Sequence, residues 1–241
     1  MKLTRKNFLI QAKYADLRES ASELEEFFLG FGAELYISKS QIVEYDRALL
    51  KRVQGLMRKK HLPLQIHAPI APLERALYEK VALLSKDLKV AKVVAHAEAS
   101  DSVSLWKEML LLLREYGISV NIENHAEEYP DSIVGLYKKI NSKTTALCLD
   151  PGHVNAFGKI GILEWLQKYP SGSLREVHLA DNKGDDDTHL ALGKGNIDIK
   201  AFFRALENRK EKITFVLEPK EREGAKESIL FLRKNGFLEE K

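Results

Sequence analysis

The chain has 241 residues, 44% of them hydrophobic and 30% charged, with 38 basic against 35 acidic side chains and a net charge of +3. That length suits one large domain with a sizeable core, and a charge so near balance excludes a strong overall nucleic-acid footprint, though not a local basic patch. No apolar stretch reaches the ~18 residues of a membrane span, the apolar run after the basic start MKLTRKNFLIQAKYAD is too short for a secretory signal, and one cysteine, Cys148, allows no intrachain disulfide, which agrees with a reducing, cytoplasmic setting.

Hydropathy divides residues 1–241 into eight strand–helix units without a linker or low-complexity segment, so a single domain is expected. Strands are predicted at 7–12, 33–37, 63–67, 91–96, 118–123, 145–150, 175–179 and 213–218. They are short, rich in Val, Ile and Leu, and mostly apolar on both faces, the pattern of parallel strands covered on both sides. Helices are predicted at 20–30, 46–60, 72–88, 101–116, 131–140, 160–168, 198–208 and 222–235. Segment 101–116 begins at the capping residues Asp101 and Ser102, carries Val103, Trp106, Leu110 and Leu113 on one face, and stops at Gly117. Segment 198–208 begins at Asp198 and shows the stripe Ile199, Phe202, Phe203, Leu206. Strict alternation with crossover-length gaps gives a parallel sheet, either an open doubly wound one or a closed barrel. No Gly-rich dinucleotide fingerprint follows the first strand, and the chemistry at the strand ends favours closure.

Six successive strands end on a residue able to bind a metal: His67, His96, Glu123, Asp150, His178 and Glu218. The spacings are 29, 27, 27, 28 and 40 residues, the period of a βα unit with one enlarged loop. In a closed parallel barrel all six would meet on the C-terminal face, where such barrels carry their chemistry; the outer strand ends of an open sheet lie too far apart to share a site. Buried carboxylates gathered in one mouth need a compensating cation. Nitrogen and oxygen donors without thiolate suit Zn²⁺, Mn²⁺, Co²⁺ or Fe²⁺ better than Ca²⁺.

Two loops add donors. LDPGHVN places His153 three residues after Asp150, in the loop beyond that strand, and the long loop after the seventh strand contains Asp187 and His189. In the same loop the amides of LGKGNID can cradle an anion, while Asp181, Asp185 and Asp186 read as solvated charges. Asn124, His125 and Asn155 read as polar residues lining the site, and Lys220 as a cation facing the same mouth. Cys148 reads as a small buried hydrophobe, Trp106 and Trp165 as helix-face packing, and His61 as a surface residue at the opposite end.

With IHAP, VNIEN, LDPGHVN and the run H-x-x-D-N-x-G-x-x-D-x-H-x-x-x-G-x-G-x-I-D from His178 to Asp198 in place, the sequence resembles the xylose isomerase-like TIM barrel superfamily over nearly its whole length. The resemblance implies a single (β/α)8 barrel and a divalent-metal enzyme that isomerises or epimerises a small sugar or sugar phosphate through a metal-stabilised enediolate. Glu123 and Glu218 would then serve as base and acid, and Glu123, Asp150, His178 and Glu218 as ligands of one ion. His153 or Lys220 would hold a phosphate or hydroxyl. The endonuclease IV branch uses nine ligands for three zinc ions, and all nine have counterparts here: His67, His96, Glu123, Asp150, His153, His178, Asp187, His189 and Glu218. The alternative reading is therefore a zinc phosphoesterase that incises DNA at abasic sites, or a non-catalytic metal-binding barrel. Ile70, Ala97-Glu98 and PGHVN depart from the nuclease branch, the last towards the sugar enzymes. One to three ions, Zn or Mn, are expected; homo-oligomerisation is left open by the sequence.

Overall fold

The computed structural model describes residues 3–97 and 101–239, so Glu98 lies outside the described residues. The strands are β1 (Phe8–Lys13), β2 (Gly32–Tyr36), β3 (Leu64–His67), β4 (Lys92–His96), β5 (Ser119–Glu123), β6 (Thr145–Leu149), β7 (Leu174–Leu179) and β8 (Thr214–Leu217). They pair in parallel in chain order, and β8 returns to β1 to close a barrel. The helices are α1 (Tyr14–Glu19), α2 (Leu24–Phe27), α3 (Arg47–Lys60), α4 (Arg75–Leu88), α5 (Val103–Glu115), α6 (Asp131–Ile140), α7 (Pro151–Phe157), α8 (Ile162–Lys168), α9 (Ile199–Glu207) and α10 (Arg222–Lys234). The architecture is one closed (β/α)8 barrel.

Local signals account for most boundaries. The Asp46 carboxylate accepts from the Leu49 amide at 3.0 Å, Ser102 from Leu105 at 3.1 Å and Asp198 from Ala201 at 2.9 Å, each satisfying a donor that the first helical turn leaves open. Gly117 ends the α5 segment at φ +73. The apolar stripes, including Trp106 and Trp165, are buried between helices and barrel, where Phe8, Phe203 and Phe215 stack with centroids 5.2 and 5.3 Å apart.

Three expectations change. The helix expected at 20–30 is only the short α2, and a second short helix, α1, precedes it, the two separated around Ser20 and Ser22; Leu17, Leu24 and Phe27 reach the core. The residues after Asp150 form α7 where a loop was expected. Asp150 is its N-cap, accepting from the Gly152 and His153 amides, with Pro151 in the first turn where its missing N–H costs nothing. Strands described as apolar on both faces carry a polar layer inside the barrel: Glu34, Gln65, Asn121 and Glu176 are all buried. Gln65 donates to Glu34 at 2.6 Å and to Glu176, Asn121 donates to Glu176, and Gln11 donates to Glu34 at 3.0 Å.

Candidate metal centre

Strand pleat and register bring the predicted donors to the C-terminal mouth of the barrel. His96 on β4 stands beside Glu123 on β5. Glu123 is fully buried and lies among four imidazoles: its Oε2 is 3.0 Å from His67 Nε2 and 3.1 Å from His96 Nε2, and its Oε1 is 3.0 Å from His178 Nδ1 and 3.8 Å from His153 Nδ1. Glu218 Oε1 lies 2.9 Å from His178 Nδ1 and accepts from Gln11. The Asp187 carboxylate is 2.8 Å from His189 Nε2 and 3.3 Å from His153 Nε2.

Three groups whose donor atoms lie within 4.8 Å of one another take in all nine residues: His67, His96 and Glu123; Glu123, Asp150, His178 and Glu218; His153, Asp187 and His189; His67, His178 and Glu218 also group with Glu34. Glu123 belongs to two of them. Three histidines are oriented from behind. His67 Nδ1 lies 2.8 Å from the Ala68 carbonyl, His153 Nδ1 2.8 Å from that of Asn124, and His189 Nδ1 2.6 Å from that of Glu218. A proton on each Nδ1 leaves Nε2 as the lone-pair donor facing the site, the arrangement that fixes histidine ligands. His189 holds this pose with its backbone in the left-handed region, φ +50.

Several buried atoms here have no hydrogen-bond partner: Glu123 Oε1, Asp150 Oδ2, His96 Nδ1, Asp187 Oδ1 and both nitrogens of His178. Unpaired buried polar atoms are expensive, and so many around one point match the donor set of a cation. Asp150 divides its work: one oxygen caps α7 and the other is left to the site.

Electrostatics separate the carboxylates. Burial pushes Glu123 up, but the charges of His178 and His96 and the close approach of the His178 and His67 rings prevail, holding it well below the usual range. Burial raises Glu218, His178 offsets only part, and Glu123 and Glu34 add repulsion, so its carboxyl titrates above the ordinary value. Burial opposes charge on His67, yet the Glu123 hydrogen bond and charge hold it at about 9. Burial also opposes charge on His189, and the Asp187 hydrogen bond brings it to about 9. For His96 burial wins over Glu123, and its pKa falls to about 4. Cys148, buried as expected, places its sulfur within 4.8 Å of Glu123 and His178 donor atoms, and burial pushes its thiol well up, keeping it protonated.

A cavity of about 220 Å³ opens above the donors, lined by Gln11, Lys13, Tyr36, His67, Ile70, His96, His125, His153, Asp187, His189 and Glu218. His125 stacks on His96 with centroids 4.5 Å apart. Asn124 sits behind the cavity: its side chain donates to the Asp150 carbonyl at 3.0 Å and accepts from the Asp150 amide at 2.8 Å, clamping the ends of β5 and β6. Two expectations are corrected. Asn155 binds Asn182 and Asn196, both at 2.7 Å, and so ties α7 to the β7 loop. Lys220 is exposed on a neighbouring hollow with Asp16, Glu19 and Arg222, because its amide bonds the His189 carbonyl and turns the chain outward.

The anion cradle is also corrected. Asp181 is fully buried, and its carboxylate accepts from the amides of Asn182 at 3.0 Å, Gly193 at 2.9 Å and Ile197 at 3.2 Å. The loop's amides already hold an anion, which is an internal side chain. Gly195 is required there: a Cβ would lie 2.1 Å from the Asn182 carbonyl oxygen. Asp185 and Asp186 are exposed, as expected. Sequence reasoning missed Gln11, Lys13, Glu34, Tyr36 and Glu176. The signal was present, since Gln65, Asn121 and Glu176 each stand two residues before His67, Glu123 and His178, and a strand's period of two puts both members on the same face.

Residues 29–235 match the family model described as xylose isomerase-like TIM barrel. The chain belongs to that family. It is 34% identical over 118 residues to an uncharacterized protein, MJ1311, of Methanocaldococcus jannaschii, a stretch covering 46% of this chain and 39% of that protein. Among solved structures, a D-tagatose 3-epimerase-like protein superposes with a TM-score of 0.74 at 22% identity, over 94% of this chain and 96% of its own. The TTHB071 protein from Thermus thermophilus, in crystals soaked with ZnCl2, gives a TM-score of 0.70 at 23% identity, over 95% and 97%. At these identities the two structures establish the barrel. Among the described residues, no helix is long and apolar enough to cross a membrane.

Proposed function

We propose that the chain is a divalent-metal-dependent enzyme that isomerises or epimerises a small sugar or sugar phosphate. The observation that carries this reading is the pair Glu123 and Glu218, which approach His178 Nδ1 at 3.0 and 2.9 Å beneath a cavity of about 220 Å³. Two carboxyl groups whose environments drive their pKa values apart are suited to opposite roles. Glu123, held ionised, is the proton acceptor; Glu218, titrating higher, returns the proton. The likeness to a D-tagatose 3-epimerase-like protein supports the choice of substrate class.

The unpaired donor atoms fit a bound Zn²⁺ or Mn²⁺, held by Glu123, Asp150, His178 and Glu218. When bound, the metal supplies a Lewis acid for a carbonyl and its neighbouring hydroxyl. The protein's own groups do the rest. Tyr36, His125 and Lys13 line the cavity as hydrogen-bonding groups for hydroxyls, Lys13 standing where Lys220 was expected. Asn124 fixes the Asp150 backbone, and the Nδ1 contacts of His67, His153 and His189 set which nitrogen faces the site.

A second reading, metal-dependent phosphoester hydrolysis, is favoured by the gathering of nine donors in three groups, two of which share Glu123, since paired metals activate water and stabilise a leaving oxygen. Elemental analysis and exchange chemistry separate the two. One ion per chain with C–H exchange of a sugar in D₂O supports the isomerase. Two or three ions with EDTA-sensitive incision of an abasic-site duplex supports hydrolysis. Absence of exchange across a broad panel of sugars and sugar phosphates would refute the first reading.

A further inference from the structure

The opposite end of the barrel holds a second cavity, of about 560 Å³, at the N-terminal ends of β4 to β8. Its lining includes Lys92, Lys143, Arg175 and Lys212 and no carboxylate. In a chain whose charges nearly cancel, this is a local concentration of one sign. Lys143, Arg175 and Lys212 make no ion pair or side-chain hydrogen bond among the described residues. Lys92 reaches inward, 3.4 Å from Thr214 Oγ1 and 3.7 Å from Glu176. The nearby acid Glu211 is turned aside, bound to Arg209 and to the Gly172 amide.

We infer that the N-terminal mouth of the barrel is a binding site for a small phosphate-bearing polyanion, held by Arg175, Lys143 and Lys212 at the rim and by Lys92 within. Three uncompensated cations match two or three negative charges, and the volume suits a diphosphate or a phosphorylated small metabolite.

The site is distinct from the metal centre and lies behind it. Asn121, on the cavity wall, donates to Glu176, whose other oxygen lies 3.6 Å from His178 Nε2. One carboxylate therefore separates the cavity from a residue of the metal centre.

The probe is inorganic pyrophosphate, titrated calorimetrically into the full chain after chelator treatment, so that no metal at the C-terminal mouth captures it. Saturable binding of about one equivalent, weakening with added salt, is expected. Arg175→Ala and Lys212→Ala should each weaken it about tenfold, because a charge-assisted hydrogen bond contributes that much. Both side chains are exposed, so the thermal midpoint should hold. No saturation by 10 mM (about the weakest affinity a built site would show) overturns the proposal. So does binding unchanged when Arg175→Ala and Lys212→Ala are combined, or binding of polynucleotide alone.

Discussion

Glu123→Gln tests the electrostatic reasoning without any assumption about substrate. In the metal-free protein the Glu123 carboxylate lies 3.0 Å from His67 Nε2, with both side chains buried. At an effective dielectric constant of about 20, a charge pair at that distance attracts by roughly 5 kcal/mol, and breaking one partner of a buried pair costs about 3–5 kcal/mol net. For a chain of this length that lowers the thermal midpoint by about 6–20 °C. The substitution also changes the pH profile. His67 has its folded pKa raised from 6.5 to about 9, so its stabilisation is fully present below 6.5 and is lost as pH rises through about 9. The chelated wild-type protein should therefore lose stability across that window. Glu123→Gln should flatten the loss, leaving the parts due to His189 with Asp187 and to His153 with Asp150 and Asp187, at the far side of the site. Urea denaturation at pH 6, 7, 8 and 9 in the presence of chelator measures both effects. A variant within about 1 kcal/mol of wild type at pH 7, or one with an unchanged slope, would show that Glu123 does not organise the histidines as argued.

Metal binding should be linked to protons in the opposite sense to apo stability. His67 and His189, both titrating at about 9, must lose a proton to ligate, so affinity for Zn²⁺ should rise from pH 6 to 9 with proton release visible as a buffer-dependent calorimetric enthalpy; a pH-independent affinity would contradict the assignment. Asp181→Ala removes the acceptor of three backbone amides and should cost about 3 kcal/mol or more, with faster proteolysis in the 183–189 loop; unchanged loop protection would refute its role as an internal anchor. Gly195→Ala forces a Cβ onto the Asn182 carbonyl and should cost at least about 3 kcal/mol by thermal denaturation, whereas Gly161→Ala, with open space around it, should be nearly silent. Asn124→Ala should lower metal affinity about 10–100-fold through displacement of Asp150, with Asn124→Asp rescuing little because it cannot donate to the carbonyl.

The βα period and the strand-end donors were legible because both are local. A strand's last residue is fixed by the run before it, and eight such runs in parallel can only present their ends on one face. Helix caps such as Ser102 and Asp198 were equally local. Tertiary structure decided what depends on closure. Glu34 and Glu176 look like ordinary strand charges until the barrel brings Gln65 across from β3 to bind both. Asp181 looked solvated because its three amide partners lie up to sixteen residues onward in a folded-back loop. Asn155 and Lys220 are close in sequence to ligands, yet α7 and the bond from the Lys220 amide to His189 turn them away. The cationic cavity at the N-terminal mouth draws on strands and loops from residue 92 to residue 214. A net charge of +3 carries no trace of it, because charge adds over the chain whereas a site is made by position.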